Sequence, residues 1–177
     1  MSTVATHISD EMRAAIGRTY GAMTSYPIAA SDIRKWAVAI YYPEEPPRLY
    51  WDEEYAKTTP FGGIVAPEDF NPFAWMAADP PGVLRVRAGA TSSLDDIVEG
   101  KVGVKGPGLK FILNGGMETQ YGVRMRPGDV ISSITSLAEY REREGRLGLM
   151  LFTITETRWT NQRGEMVKVQ RSTNIRY

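Results

Sequence analysis

The chain of 177 residues contains no cysteine and one histidine, His7. Without cysteine it cannot form a disulfide, a thiolate nucleophile or a cysteine-ligated zinc site, and a single histidine makes a histidine-based metal site unfavourable. His7 lies in a polar leader ahead of the first predicted helix. Acid–base catalysis by an imidazole from the middle of this chain is therefore excluded, and any such chemistry must use other groups or groups that a partner supplies.

An excess of charge of either sign is also absent. Lysine and arginine together number 21, as do aspartate and glutamate, so no long-range field favours nucleic acid or an anionic membrane surface. No stretch approaches the ~18 to 20 apolar residues of a membrane helix, and residues 1–10 lack the basic and apolar blocks of a signal peptide. We expect a cytoplasmic protein without nucleic-acid or membrane partners.

The composition predicts one domain over residues 1–177. With 42% apolar residues the chain can bury a sizeable core. Residues 1–16 are expected to be a leader with a lead-in helix. Residues 79–108 are rich in proline, glycine and charge, and are expected to form a long excursion from the domain.

The patterns along the chain predict an α+β arrangement of helices followed by an antiparallel meander. Three helices are expected: one capped by Ser9, one capped by Ser31 or Asp32, and one starting near Pro67. A short strand is expected within residues 19–27, and five further strands at 109–113, 117–125, 129–141, 147–160 and 165–176.

Four motifs in order carry a family resemblance. They are Tyr50-Trp51-Asp52-Glu53-Glu54-Tyr55-Ala56, Phe61-Gly62-Gly63-Ile64-Val65-Ala66-Pro67, Asn114-Gly115-Gly116 and Arg126-Pro127-Gly128-Asp129. In this order the chain resembles the MaoC-like hydratases, in the branch similar to the dehydratase domain of type I fatty acid synthases, from about Ile16 to its end. The resemblance implies a hotdog fold, in which an antiparallel sheet wraps around a long central helix.

Aligning the family pattern on Asp52 and Ala56 places its catalytic histidine at Tyr50 and its catalytic aspartate at Glu45. In the family, as the resemblance implies, this pair activates the water that adds to a 2-enoyl thioester. A tyrosine with an ordinary pKa of about 10 could only donate a proton or position the substrate, whereas Glu45 would be ionised. A hydratase using Glu45 and Tyr50 is chemically conceivable; alternatively, Glu45 is a solvated carboxylate and Tyr50 a packed aromatic residue.

The same substitution is expected, from the resemblance, in non-catalytic subunits of heteromeric hydratases, such as the (3R)-hydroxyacyl-ACP dehydratases of mycolic acid synthesis and the steroid side-chain enoyl-CoA hydratases. The first hypothesis is therefore an acyl-thioester-binding subunit that joins a catalytic MaoC-like subunit. The second is a homodimeric hydratase or thioesterase that uses Glu45 and Tyr50. The third is a non-enzymatic module that binds acyl-CoA.

Two further sets of residues are predicted to bind the substrate, an acyl-CoA or acyl-carrier thioester, with no other cofactor. Free N–H groups at Gly62, Gly63 and Ala66, ahead of the third helix, could polarise the thioester carbonyl, or these small residues could serve close packing. Arg85 and Arg87, and the similarly spaced Arg124 and Arg126, could bind phosphates or could form the wet face of a strand. The sheet is expected to pair edge to edge with a second hotdog chain.

Overall fold

The computed structural model describes residues 6–74, 76, 94 and 97–177. Four short helical elements and five strands form within these residues. The helices are α1 (Asp10–Ala14), α2 (Ala30–Tyr41), a 3₁₀ helix (Arg48–Tyr50) and α3 (Glu53–Lys57). The strands are β1 (Thr19–Thr24), β2 (Ile112–Tyr121), β3 (Ile131–Gly145), β4 (Gly148–Asn161) and β5 (Met166–Arg176).

The strands form one antiparallel sheet in the order β1-β3-β4-β5-β2. The predicted meander is confirmed for β3, β4 and β5 but is wrong for β2, which pairs with β5 at the far edge of the sheet instead of with β3. The two segments predicted around Asn114-Gly115-Gly116 form one strand, because a bulge between Asn114 and Met117 absorbs the glycines without ending the pairing.

The hairpin between β3 and β4 is longer than its sequence suggests. The charged residues 142–146 were predicted to form a turn, yet Gly145 pairs with Gly148 and only Arg146 and Leu147 lie between them. This tip of the hairpin is exposed to solvent, so charged side chains can extend the strands without being buried.

Two apolar clusters cover one face of the sheet. The Trp159 cluster contains buried residues from the sheet, α2 and the segment after α3: Ile28, Ile33, Ala66, Phe70, Phe73, Met125, Ile131, Trp159 and Val167. The Tyr140 cluster unites α1, residues 97–104 and the opposite end of β3 and β4: Ile8, Met12, Ala15, Val98, Val102, Leu137, Tyr140 and Leu151. Because alternate strand residues share a face, Leu151 and Trp159 of β4 point to the same side.

The helix predictions have mixed outcomes. Ser9 caps α1 as predicted, since its hydroxyl accepts a hydrogen bond from the Met12 N–H at 3.2 Å. The capping of α2 by Ser31 or Asp32 is wrong: the helix begins at Ala30, after an Ala29 that makes no side-chain cap. Within the described residues, no helix is long and apolar enough to cross a membrane.

The helix predicted to start at Pro67 is also wrong at that position. Residues 68–69 and 72–73 form turns, although the proline and the acidic residues after it are typical of a first helical turn. Burial explains the difference, because Phe70 and Phe73 are both buried in the Trp159 cluster and the turns bring both rings inward. Phe73 meets Trp159 edge to face with ring centres 5.0 Å apart.

Candidate functional site

The segment aligned with the family's catalytic motif is held in place by its own side chains. Asp52 caps α3 by accepting a hydrogen bond from the Tyr55 N–H at 3.0 Å, and it also accepts one from the Arg48 guanidinium at 2.6 Å. Two hydrogen bonds lower the pKa of the Asp52 carboxyl: the one from the Tyr55 backbone has the larger effect, and the one from the Arg48 side chain the next. The Asp52 carboxylate therefore stays ionised and is engaged in fixing the turn that presents Tyr50.

Tyr50 and Glu45 lie in different environments. Tyr50 is half-buried against the Trp159 cluster, and its ring centre is 6.1 Å from that of Tyr41. Glu45 is exposed on a shallow groove that it shares with Arg34, Val38, Pro46 and Trp51. Among the hydrogen bonds of the described residues, none joins Glu45 to Tyr50. The structure thus shows no interaction between the two side chains, and their catalytic use stays a prediction.

The Gly62–Gly63 loop turns sharply before it reaches the sheet. Gly62 has a φ of +64°, a conformation that favours glycine, and its N–H donates to the Thr59 carbonyl at 2.9 Å. The Ala66 N–H donates to the Met125 carbonyl at 2.8 Å. Of the three predicted donors, only the Gly63 N–H lacks an acceptor within the described part of the chain. A free donor at Ala66 was expected from a helix start that does not form.

Arg124 and Arg126 clamp this loop onto the sheet. The Arg124 guanidinium donates to the Ala66 carbonyl through Nη2 at 2.9 Å and Nε at 3.2 Å, while Nη1 forms an ion pair with Glu68 at 3.0 Å. Arg126 Nη2 donates to the Phe61 carbonyl at 2.7 Å. Arg124 and Arg126 are therefore not a merely solvated face of a strand.

The other predicted phosphate ligands, Arg85 and Arg87, lie outside the described residues. His7 is tied to the β3–β4 hairpin, where its Nε2 lies 2.9 Å from the Leu149 carbonyl oxygen. Within the described ranges, no group of three or more histidine, aspartate or glutamate side chains could hold a metal ion. No metal chemistry is assigned to these residues.

Sequence reasoning missed Lys168. This residue of β5 is only 3% exposed, and its Nζ lies 3.9 Å from the ring centre of Trp159, its neighbour on β4. Burial lowers the pKa of the Lys168 ammonium. Its other cross-strand neighbour, Tyr121, donates a hydrogen bond to Asp69 at 2.5 Å. Among the described residues, Lys168 has no hydrogen-bond or ion-pair partner, and its contact with the Trp159 ring is a cation–π interaction.

The family comparison agrees with this fold. A family model described as "FAS1-like, dehydratase domain region" matches residues 14–170, which is most of the chain. A search of curated protein sequences found no match.

Several solved structures share the fold at low sequence identity. The R-hydratase PhaJ1 from Pseudomonas aeruginosa is 17% identical with a TM-score of 0.53, over 90% of this chain and 79% of that one. The ChsH1–ChsH2 complex from Mycobacterium tuberculosis is 18% identical with a TM-score of 0.59, over 90% and 84%. The HadBC (3R-hydroxyacyl-ACP dehydratase) complex from the same organism is 16% identical with a TM-score of 0.53, over 90% and 99%. The prediction of an α+β hotdog fold is confirmed.

Proposed function

We propose that this chain, which belongs to the family of FAS1-like dehydratase domain regions, is the acyl-thioester-binding subunit of a heteromeric (R)-specific enoyl hydratase or 3-hydroxyacyl dehydratase. The observation that carries the proposal is the environment of Tyr50. The residue aligned with the family's histidine packs against aromatic and apolar side chains and makes no hydrogen bond to Glu45. A half-buried tyrosine without a neighbouring base is poorly suited to remove a proton from water near neutral pH.

A partner of the same fold would supply the missing acid–base pair. Two of the similar structures are complexes, ChsH1–ChsH2 and HadBC, which supports a heteromeric assembly for this chain. The substrate of the assembly would be an acyl-CoA or acyl-carrier thioester, bound without a further cofactor in the cytoplasm. Gly62, Gly63 and Ala66 would lie along the bound substrate, with Gly63 as the remaining N–H donor.

The partner surface we propose is the outer edge of β2. Among the described strands, this strand of ten residues pairs with β5 alone, and nearly all of it is exposed. Its large apolar side chains include Leu113 at 48% exposure and Met117 at 61%. The opposite edge, β1, has six residues. A long exposed edge with apolar side chains is unfavourable in an isolated chain and is suited to pairing with a strand of a second hotdog subunit.

The first test measures hydration of crotonyl-CoA and longer 2-enoyl-CoAs by the purified chain, across about pH 6 to 9. We expect negligible turnover, unchanged in Tyr50→Phe and Glu45→Gln. Robust turnover by the lone chain, falling by about 10²-fold or more in Tyr50→Phe as for a lost acid–base group, would overturn the proposal and favour the self-sufficient homodimer.

The second arm of the test asks whether β2 forms the contact with a second hotdog subunit. Met117→Lys and Leu113→Lys should weaken assembly, measured by sedimentation of the chain alone and with a co-expressed MaoC-like subunit that retains the Asp–His pair. The matched control is Ile134→Lys, because Ile134 is 52% exposed but lies on β3, inside the sheet. A stable monomer at every concentration that also gains no activity with this subunit would contradict the partner model.

A further inference from the structure

A groove of about 350 Å³ opens beside the Gly62–Gly63 loop, where the end of β2 meets the turn between β4 and β5. Its walls carry three guanidinium groups, those of Arg124, Arg126 and Arg163, together with the Glu165 carboxylate and the ring of Phe61. The Arg124 guanidinium lies 5.6 Å from the centre of that ring. Guanidinium groups recognise phosphate, and three of them outnumber the one carboxylate of this groove.

The charges of these three arginines are compensated unequally. Arg163 contacts two carboxylates, Asp129 at 3.1 Å and Glu165 at 2.7 Å, and Arg124 is paired with Glu68 as described above. Arg126 is different, since its side chain donates to the neutral Phe61 carbonyl and forms no ion pair within the described residues. Its positive charge is therefore available to an anion.

The free donors of Arg126 also lie close to the glycine loop. A guanidinium has five N–H donors, and the contact with Phe61 occupies only Nη2 of Arg126. Its Nη1 lies 3.9 Å from the position that a Cβ on Gly63 would occupy. Because the carbonyl contact fixes one end of the guanidinium, little side-chain entropy is lost when the other end binds a ligand.

We propose that Arg126 binds the phosphate of the pantetheine arm that carries the acyl thioester. This inference rests on the proposed function and deepens it, since the arm's phosphate is common to CoA and to an acyl carrier protein. The Gly62–Gly63 loop then borders the phosphate end of the ligand, so the Gly63 N–H serves this end and not the thioester carbonyl, which lies further along the arm.

The test is calorimetric binding of CoA, 4′-phosphopantetheine and pantetheine to the full chain. Arg126→Gln removes the charge but keeps an N–H for the Phe61 carbonyl, and Arg126→Lys keeps the charge but loses the guanidinium geometry. Arg158→Gln is the matched control, because Arg158 is a 57% exposed arginine on β4 that pairs with Glu156. Circular dichroism and the Tm establish that each variant is folded.

We expect Arg126→Gln to weaken CoA and 4′-phosphopantetheine by about tenfold or more, the usual loss for a hydrogen bond to a charged group. Arg126→Lys should lose less, while pantetheine binding and the Arg158→Gln variant should be unchanged. Unchanged CoA affinity in folded Arg126→Gln, or an equal loss for pantetheine, would overturn the proposal. An effect on CoA that is absent for 4′-phosphopantetheine would also overturn it and assign the contact to the nucleotide phosphates.

The same variants separate this inference from the proposed function. If the assembled complex hydrates enoyl-CoA and Arg126→Gln leaves its KM unchanged, the phosphate site is wrong while the subunit role stands. If the complex is inactive but Arg126→Gln still weakens phosphate-dependent binding, the phosphate site stands and the hydratase role fails. A holo-acyl carrier protein used in place of CoA tells which carrier the groove accepts.

Discussion

The two apolar clusters bury charge in opposite ways. At the Tyr140 cluster, Glu99 and Arg176 are 0% and 2% exposed, and Arg176 Nη1 donates to Glu99 at 2.8 Å. Tyr140 and Thr153 complete the network, at 2.8 Å from Glu99 and Arg176 respectively. At the Trp159 cluster, the buried Lys168 forms no ion pair among the described residues: its ammonium contacts the Trp159 ring and is attracted by the charge of Asp69 without direct contact.

Indole N–H groups repeat this contrast. Trp36 Nε1 and Trp159 Nε1 are buried without a hydrogen-bond partner among the described residues, and both side chains belong to or pack against the Trp159 cluster. A buried donor without an acceptor destabilises the folded state. The Tyr140 end therefore anchors residues 97–104 to the sheet, whereas the Trp159 end, beside the predicted substrate-binding loop, is not optimised for stability.

The largest expected effect is at the satisfied end. Glu99→Gln keeps the shape of the side chain but leaves the Arg176 charge buried without its counter-ion. We expect the free energy of unfolding to fall by about 3 to 5 kcal/mol, as is typical when one partner of a buried ion pair is removed. Urea denaturation at neutral pH measures it.

The control for this change is Glu144→Gln at the exposed tip of the β3–β4 hairpin, where we expect a change within about 0.5 kcal/mol. The double variant Glu99→Gln/Arg176→Met should recover part of the loss, because it removes the uncompensated charge as well. A loss below about 1 kcal/mol in Glu99→Gln would show that the network contributes little, and the contrast between the two ends would disappear.

Local patterns predicted the strands well and their burial poorly. The meander of β3, β4 and β5 follows from runs of strand-forming residues separated by turn sequences. On β5, however, Lys168, Gln170, Ser172, Asn174 and Arg176 alternate as one polar face, which by itself predicts exposure. Lys168 and Arg176 are instead buried, because the segments that cover this face come from residues far away in sequence, such as Glu99.

The second prediction concerns Lys168. Burial lowers the folded-state pKa of its ammonium below the ordinary 10.5, so the unfolded chain binds more protons in the interval between the two values. The free energy of unfolding therefore rises with pH across that interval. Lys168→Met should abolish this rise and should stabilise the fold at neutral pH by about 1 kcal/mol, because the desolvation cost outweighs both the contact with Trp159 and the attraction to Asp69.

Unfolding curves at several pH values, from neutral to alkaline, measure this effect. The matched control is Lys110→Met, which removes an exposed lysine and should change neither the stability at neutral pH nor its slope with pH. A destabilised Lys168→Met would indicate that the ammonium makes a favourable contact beyond those described, and that this end is as well satisfied as the other.

The candidate site was only partly predictable. The four motifs taken in order, of which that around Asp52 is one, indicate the family, and the clamp formed by Arg124 and Arg126 lies at residues that the sequence singles out. The relation between Glu45 and Tyr50 could not be deduced, because a five-residue spacing places two side chains together only in a given backbone conformation. Here Pro46 and Pro47 carry the chain into a 3₁₀ helix, with Glu45 left on the surface.

The smallest expected effect tests the hydrogen bond that joins β2 to the loop over the Trp159 cluster. The Tyr121 hydroxyl donates a hydrogen bond to Asp69. This hydrogen bond is the main cause, and burial the next, of the rise in the pKa of Tyr121 from 10.0 to about 12. Because the folded chain holds this proton more tightly, the stabilisation is complete below about pH 10 and is lost as the pH rises towards 12.

Tyr121→Phe should lower the free energy of unfolding by about 0.5 to 1 kcal/mol at neutral pH, the usual net value of one hydrogen bond. It should also remove this part of the alkaline decline, measured by urea denaturation at about pH 8 and about pH 11. The exposed Tyr42→Phe is the control and should leave both quantities unchanged. If the decline between the two pH values is the same in Tyr121→Phe as in the unmodified chain, Asp69 does not hold Tyr121 in solution, and the loop is attached to the sheet mainly by Arg124.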